Sequence, residues 1–159
     1  MWYKILNIVA LLLIPIVAVW IGQVLQDRAK RRDDKMQIFK ILMSSRVFGW
    51  TQEMVWALNI IEIVFADDKN VIKQWKKYYD KLCIEKPTET DLKKISMERN
   101  KLLECMSDSL GYKGKITWET LENPYIPNGM INAMDKNQKF QNSQMALMDI
   151  IQQTMQGEK

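Results

Sequence analysis

The sequence contains no histidine, and this absence narrows the chemistry that the chain can perform. Without an imidazole there is no histidine general base, no Ser-His or Cys-His nucleophile and no histidine ligand for a metal. Cysteine is scarce as well, with only Cys83 and Cys105 present. Their spacing fits neither a zinc motif nor a disulfide framework. We interpret both cysteines as buried, reduced thiols.

Carboxylates are the remaining candidates for catalysis or metal binding. Glu53, Glu62, Asp67 and Asp68 are close in the sequence, but no ExxH motif accompanies them, and acidic residues at helix ends are usually caps or solvated groups. The tract GYKGK at 111–115 lacks the spacing of a phosphate-binding P-loop. We therefore predict that the protein is not an enzyme and that it uses no metal and no cofactor.

The sequence also lacks a large excess of either positive or negative charge. The chain has 23 Lys and Arg against 19 Asp and Glu, a net charge of +4. Dedicated nucleic-acid binders have a much stronger basic excess. The one dense basic cluster, RAKRRDDK at 28–35, is interrupted by aspartates that can pair within a helix, as Asp27 with Arg31. We predict no nucleic-acid partner.

A long uncharged apolar run is present near the N-terminus. Ile5 to Gly22 contains no charged residue, and 18 helical residues span roughly 27 Å, close to the hydrocarbon thickness of a bilayer. Trp2, Tyr3 and Trp20 stand near its ends, where aromatic rings favour the membrane interface. The run is long for a signal peptide and lacks a small-x-small cleavage site. It predicts a transmembrane anchor.

The flanking cations predict the orientation of this anchor. Lys4 precedes the run, whereas a basic cluster follows it directly, and positive residues stay on the cytoplasmic side. We expect the N-terminus outside and the C-terminal part in the cytoplasm, at the inner (cytoplasmic) membrane of a bacterium. The residues that we expect to set the topology and to contact lipid headgroups are Arg28, Lys30, Arg31, Arg32 and Lys35.

Helical periodicity continues after the anchor. The segment from 23 to 46 has no Gly or Pro and predicts one long helix, which Pro15 could kink and Gly49 ends. Further helices are predicted at 52–66, at 70–83 and from Thr88 or Thr90 to Leu110, and a last helix is predicted from about Ile131 or Lys136 to Gln156. The tract 112–130 predicts a long irregular loop with room for a short strand at 116–118. The fold class is therefore all-α, with one N-terminal transmembrane helix that continues into a cytoplasmic bundle of four to five helices.

We divide the chain into a transmembrane anchor at 1–23, a juxtamembrane helical extension at 24–46 and a cytoplasmic helical domain at 47–159. The helix predicted at 52–66 is apolar nearly all round, which is typical of a helix at the centre of a core. Its Asn59 and Glu62 share one face. The tract YIPNGM at 125–130 is a candidate rigid turn, with Asn128-Gly129 suited to positive φ. This turn could be a recognition loop, or it could equally close the core over Trp118. The predicted binding residues are Asn59, Glu62, Asp67, Asp68, Tyr125 and Asn128.

One stripe along the first helix suits self-association. Steps of three and four residues connect Ala18, Gly22 and Leu25, and the pair Ala18 and Gly22 is a small-xxx-small step within the anchor. The stripe continues through Arg32, Met36, Phe39 and Met43. It could pair two copies of the chain in a homo-oligomer. Alternatively, its second half could pack on the chain's own helices, which a charged residue at Arg32 favours.

Several segments in a fixed order resemble a known family. They are RRDDKMQIFKILMSSR, RVFGWTQEMVWALNIIEIVFADDKNVIKQWKKYYDKL, LLECMSDSLGYK and YIPNGM. Together they are similar to a family of small bacterial membrane-anchored proteins with a helical domain of unknown function. The resemblance covers nearly the whole chain and implies a membrane-tethered helical domain, without an activity or catalytic residues.

These features predict a single-pass protein whose cytoplasmic module binds a protein partner or acts as a scaffold at the lipid bilayer. The alternative is a small membrane-acting effector of the toxin or defence type, which would oligomerise through its anchor and perturb the bilayer.

Overall fold

The computed structural model describes residues 2–157, except for the side chains at 4–10, 12 and 154–157. These residues form six helices and no strand, which confirms the all-α prediction and adds one helix to the number expected. The helices are α1 (Trp2–Phe48), α2 (Gln52–Val64), α3 (Lys69–Leu82), α4 (Glu89–Ser109), α5 (Trp118–Glu122) and α6 (Asn128–Gly157).

Helix α1 is one uninterrupted helix of 47 residues that continues through Pro15. At 1.5 Å per residue it is roughly 70 Å long. The predicted continuation of the apolar run into the following segment is therefore correct. Within the part of the chain that the structure describes, no helix combines the length and the apolar character needed to cross a membrane. Of the anchor predicted at 1–23, Met1 and the side chains at 4–10 and 12 lie outside the described residues.

The ends of the helices follow local sequence signals. Gly49 has a φ of +71° and takes the chain out of α1, as predicted. The Thr51 hydroxyl then accepts a hydrogen bond from the Met54 amide at 3.1 Å and caps α2. Thr88 caps α4 in a reciprocal box with Asp91, in which each side chain accepts from the other residue's amide. Such caps satisfy amides that the first helical turn leaves without a partner.

The hydrophobic core lies among the last third of α1 and helices α2, α3 and α4, with one side chain from α5. Helix α3 packs mainly on α4, and α1 packs on α2 and α4. The buried apolar residues are Ile38, Phe39, Leu42, Met54, Ala57, Leu58, Ile61, Phe65, Val71, Trp75, Tyr78, Leu102, Leu103, Met106, Leu110 and Leu121. The two most extensive contacts, α1 with α2 and α3 with α4, join helices that follow each other in the chain, so most of the core forms between adjacent elements.

Helix α2 is not a central helix, in contrast to the prediction. Its buried residues are Met54, Ala57, Leu58 and Ile61, a spacing that occupies one face only. Val55 and Trp56 are about half exposed, and Ile63 is 75% exposed. The sequence is apolar on all sides of this helix, but only one side has neighbours that cover it.

The tract from 112 to 130 is more regular than predicted. Thr117 caps the short helix α5, so the strand suggested at 116–118 does not form. Helix α6 begins at Asn128, directly after Pro127, whose carbonyl accepts from the amides of Met130 and Ile131. Gly129 is helical rather than at positive φ, so the turn predicted at Asn128-Gly129 is wrong. A proline just before the first turn has the φ that a helix start needs.

The chain divides into two compact units, Met1–Asn123 and Pro124–Lys159. The first contains α1 to α5 with the core. The second contains α6, whose described side chains between residues 131 and 153 are all exposed.

Candidate functional site

The basic cluster lies where α1 reaches the rest of its unit. Arg28, Lys30 and Arg31 are exposed, and the pair predicted between Asp27 and Arg31 is not among the ion pairs of the described side chains. One Nη of Arg32 donates to the carbonyl oxygen of Leu110 at 3.5 Å. The cluster thus has a free part towards the N-terminus and a bound part that reaches the end of α4.

Lys35 belongs to the bound part. Its Nζ lies 2.6 Å from Oδ1 of Asp67 and 5.4 Å from the centre of the Phe65 ring. The hydrogen bond from Lys35 lowers the pKa of the Asp67 carboxyl. The Lys35 side chain is only 13% exposed. This ammonium group, predicted to face lipid headgroups, instead joins α1 to the corner between α2 and α3.

The same corner borders a shallow hollow of about 290 Å³. Its charged rim consists of Arg31, Asp34, Lys35 and Asp67, and its floor is apolar, with Ile63, Val64 and Ala66. The rim thus carries two cations and two carboxylates, so the hollow favours neither an anionic nor a cationic ligand.

Asn59 and Glu62 share one groove, as their spacing predicts. The groove lies between α2 and α3, has a volume of about 260 Å³ and is completed by Leu58, Trp75, Lys76 and Tyr79. Both Asn59 and Glu62 are exposed, so neither needs a buried partner. The rings of Trp75 and Tyr79 are tilted against each other with centroids 5.6 Å apart. An amide, a carboxylate, an ammonium and a phenol thus border an aromatic surface, a combination that suits a polar polypeptide segment.

The residues from α3 in this groove were not predicted as binding residues. The helical spacing of Trp75 and Tyr79 with other apolar residues of α3 favours packing for both rings, and Lys76 falls on the side that this spacing leaves to solvent. In the structure Trp75 is buried, whereas Tyr79 is 54% exposed. The two tyrosines at 78 and 79 cannot both face the core because neighbouring helical positions point about 100° apart. Which of the two rings stays exposed depends on how α3 packs on its neighbours.

Asp68 has a structural role that can be stated directly. Its carboxylate accepts from the amides of Asn70 at 3.0 Å and Val71 at 3.2 Å, and it caps α3. It also borders a hollow of about 450 Å³ between α3 and α4, which is lined by Asn70, Lys73, Gln74, Lys77, Cys105, Asp108, Ser109 and Lys113. Three different depressions are therefore lined by these predicted residues: one by Asn59 and Glu62, one by Asp67 and one by Asp68.

Tyr125 and Asn128, the other two predicted binding residues, belong to the second unit. Tyr125 is 87% exposed, and Asn128 is the first residue of α6. The predicted role of both residues in binding stays a prediction.

The predicted self-association stripe has two different halves. Ala18, Gly22 and Leu25 are exposed, and apart from the backbone of α1 itself no atom stands within 4 Å of where a Cβ at Gly22 would lie. From Arg32 onward the stripe packs on the chain itself, since Phe39 is buried and Met36 is half-buried. The second of the two alternatives is therefore correct for the later half.

Arg46 holds α5 against the end of α1. Its Nη1 donates to the carbonyl oxygens of Thr120 at 2.8 Å and Leu121 at 2.7 Å, and its Nε donates to Met43 at 3.0 Å. Burial and the nearby Arg99 lower the pKa of Arg46. These bonds close the core over Leu121.

The two cysteines are free, but neither is fully buried. Cys83 is exposed and Cys105 is half-buried. Burial raises the pKa of the Cys105 thiol. The prediction of two buried thiols is wrong because Cys83 follows the last turn of α3, where the packed face ends. Among the described residues no group of three acidic or cysteine side chains could hold a metal ion.

An all-α unit built on one long helix, with shallow polar grooves, is the class of protein that the fold defines. The chain belongs to the family of unknown function DUF6680, whose family model matches residues 2–155. Comparison with curated proteins gives no match. Comparison with solved structures gives no match either.

Proposed function

We propose that the protein is a single-pass membrane-tethered module whose helical domain binds a protein partner in the cytoplasm. The observation that supports this most directly is the two-part character of α1. Its described apolar side chains from Leu13 to Ile21 are exposed, while Ile38 and Leu42 in the same helix are buried in the core. A contiguous exposed apolar surface of this kind marks contact with a membrane or a partner.

The uncharged run from Ile5 to Gly22 supports a bilayer as that contact. The basic cluster immediately after it supports a cytoplasmic location for the domain, at the inner membrane of a bacterium with the N-terminus outside. Free thiols agree with a reducing compartment. The domain boundaries that we propose are an anchor at 1–23, an extension at 24–46 and the cytoplasmic part at 47–159.

The exposed thiol of Cys83 provides a native reporter for this topology. In intact cells a membrane-impermeant maleimide should not label the protein, and after permeabilisation it should label Cys83. Cys83→Ser is the control, because the half-buried Cys105 thiol, with its raised pKa, should react slowly. Extraction of the full chain by alkaline carbonate would contradict the tether, and labelling in intact cells would contradict the orientation.

The groove of Asn59 and Glu62 is the best candidate for the partner site. It combines exposed polar groups with the exposed part of an aromatic pair, and aromatic residues are enriched where proteins bind one another. The test is quantitative capture of proteins by tagged full-length chain in which Asn59, Glu62 and Tyr79 are changed to alanine. Matched alanine changes at Asn123, Glu119 and the exposed Phe140 control for charge and size, and none of these three is a predicted binding residue. Equal capture by both variants would reject the groove as the site.

A membrane-acting effector is the second candidate, and one observation favours it. The surface around Gly22 is open, so a second copy of α1 could approach closely along Ala18 and Gly22. If this is the function, induction of the protein depolarises cells, and Ala18→Leu or Gly22→Leu abolishes the effect. An unchanged membrane potential after induction would favour the tethered module.

A further inference from the structure

The loop between α4 and α5 carries two lysines that stand close to the basic cluster of α1. Lys113 and Lys115 are exposed. The loop has a defined shape, because Gly111 and Gly114 adopt φ values of +86° and +69°. The Tyr112 amide also donates to the Ser107 carbonyl, and the Lys115 amide donates to Tyr112. The two ammonium groups are thus presented by a folded turn.

This turn lies at the end of the helical unit from which α1 emerges. Arg32 donates to Leu110, the residue directly before the turn. Lys113 borders a hollow with Asp68 and Asn70, at the start of α3. Asp67, the residue directly before Asp68, accepts a hydrogen bond from Lys35 of α1. Three segments that are distant in sequence therefore meet at one end of the unit.

The distance along α1 from the end of the apolar run indicates how far this end of the unit lies from the proposed membrane. Arg32 follows Gly22 by ten residues, roughly 15 Å of helix. The polar headgroup region adds about 5–8 Å on each side of the hydrocarbon core, and screening at physiological salt acts over about 8 Å. An arginine or lysine side chain at this level is therefore within reach of the field of an anionic leaflet.

The charges at this end leave the lysines of the turn available. The Asp67 carboxylate is bonded to Lys35, and Asp68 is bonded to backbone amides. Lys115 lies 5.9 Å from the centre of the Tyr112 ring. Among the described residues, neither Lys113 nor Lys115 has a carboxylate within ion-pairing distance, although Asp108 borders the same hollow as Lys113.

We propose that Lys113 and Lys115, together with Arg28, Arg31 and Arg32, form one surface that binds the anionic phospholipid headgroups of the leaflet. The domain is then held to the membrane at the turn as well as through α1, which limits how it can rotate about its tether. This inference rests on the proposed membrane attachment.

Lysine acetylation measures this contact on the full-length protein. The protein is placed in nanodiscs of phosphatidylcholine alone or of phosphatidylcholine mixed with phosphatidylglycerol, and a water-soluble reagent modifies exposed amines. In the anionic discs Lys113 and Lys115 should react about fivefold more slowly, the factor that corresponds to one screened cation at the surface. High salt should remove the difference.

Lys86 and Lys94 are the internal controls. Both are exposed. Lys94 precedes Ser109, the last residue of α4, by 15 residues, roughly 22 Å along the helix, and Lys86 lies before the first residue of this helix. Their rates should be equal in the two lipids. Equal rates at Lys113 and Lys115 in the two lipids, or slowing at Lys86 and Lys94 as well, would overturn the proposal.

A paired variant tests the same surface independently. If the turn contacts the leaflet, amide exchange at 111–117 should be slower in anionic discs than in neutral discs. Lys113→Gln with Lys115→Gln should remove this difference, whereas Lys86→Gln with Lys94→Gln should retain it. If exchange in the first variant still depends on anionic lipid, the lysines are not the contact. Failure of the chain to stay in discs of either lipid would instead reject the membrane attachment itself.

Discussion

The two parts of α1 have opposite relations between composition and burial. From residue 13 to residue 34 every side chain is exposed except half-buried Val24, although the run up to Ile21 is almost wholly apolar. From Lys35 to Phe48 the helix contains lysine, serine and arginine, yet Leu42 is 2% exposed and even Ser45 is buried.

The difference shows that apolar character alone does not locate a core. One face of residues 35–48 is buried, with Ile38, Leu42 and Ser45, because α2 and α4 pack against it. Within the described residues the earlier part has no such neighbour. Burial requires a surface to pack against, and the chain supplies that surface for only one part of its longest helix.

Leu42→Ala should have the largest effect and provides the strongest test of this comparison. Loss of a fully buried leucine leaves a cavity and lowers the free energy of unfolding by about 2–5 kcal/mol. Leu25→Ala, at an exposed position of the same helix, should change it by less than about 0.5 kcal/mol. Urea unfolding of the detergent-solubilised protein, followed by tryptophan fluorescence, measures both. Similar losses would mean that the early part of α1 is also packed.

Arg46→Ala tests whether a polar residue in the buried part is structural. It removes charge-assisted hydrogen bonds to Thr120 and Leu121, and we expect a loss of roughly 2 kcal/mol. Amide exchange in α5 should accelerate most. Arg28→Ala, in the exposed part, is the matched control and should leave that exchange unchanged. Protection of α5 that survives in Arg46→Ala would show that Leu121 alone holds it.

Two glycines of the first unit permit a smaller, paired test. Gly49→Ala should destabilise by about 1 kcal/mol, because an alanine at positive φ is strained. Gly22→Ala should be neutral or slightly stabilising, since the position is helical and open. Thermal unfolding followed by circular dichroism compares the two. A destabilised Gly22→Ala protein would indicate that Gly22 touches a second helix.

The bond between Lys35 and Asp67 marks the boundary between the two parts and should contribute least. Asp67 is mostly exposed, so a double-mutant cycle should give about 0.2–1 kcal/mol. Because the folded pKa of Asp67 is lowered, its contribution is present above the ordinary pKa of aspartate and disappears as the pH falls through the folded value. Urea midpoints at neutral and acidic pH measure this. A coupling that is unchanged in acid would contradict the lowered pKa.

Local features of the fold could be predicted from the sequence. Thr51, Gly49 and the Thr88 cap are recognisable because each acts on amides or on backbone angles within a few residues. Helix α5 was missed because five residues contain too little periodicity to separate a helix from a loop. The exposed face of α2 was missed for another reason. A helix that is apolar on all sides does not indicate which side has neighbours.

The residues of the candidate site also divide into those that local spacing predicts and those that depend on tertiary packing. The common face of Asn59 and Glu62 depends on a spacing of three residues and was predicted correctly. The contribution of Tyr79 depends on how α3 packs beside α2, and the bond of Lys35 with Asp67 joins residues that are 32 positions apart. Such pairings depend on tertiary packing, which helical spacing does not specify.

The unbroken course of α1 makes the angular position of the domain a function of residue number. Each residue inserted between Gly22 and Arg28 would turn everything beyond it by about 100° and advance it by about 1.5 Å, whereas a set of seven would nearly restore the angle. The number of residues in α1 therefore determines the direction in which the α2–α3 groove faces about the axis of this helix.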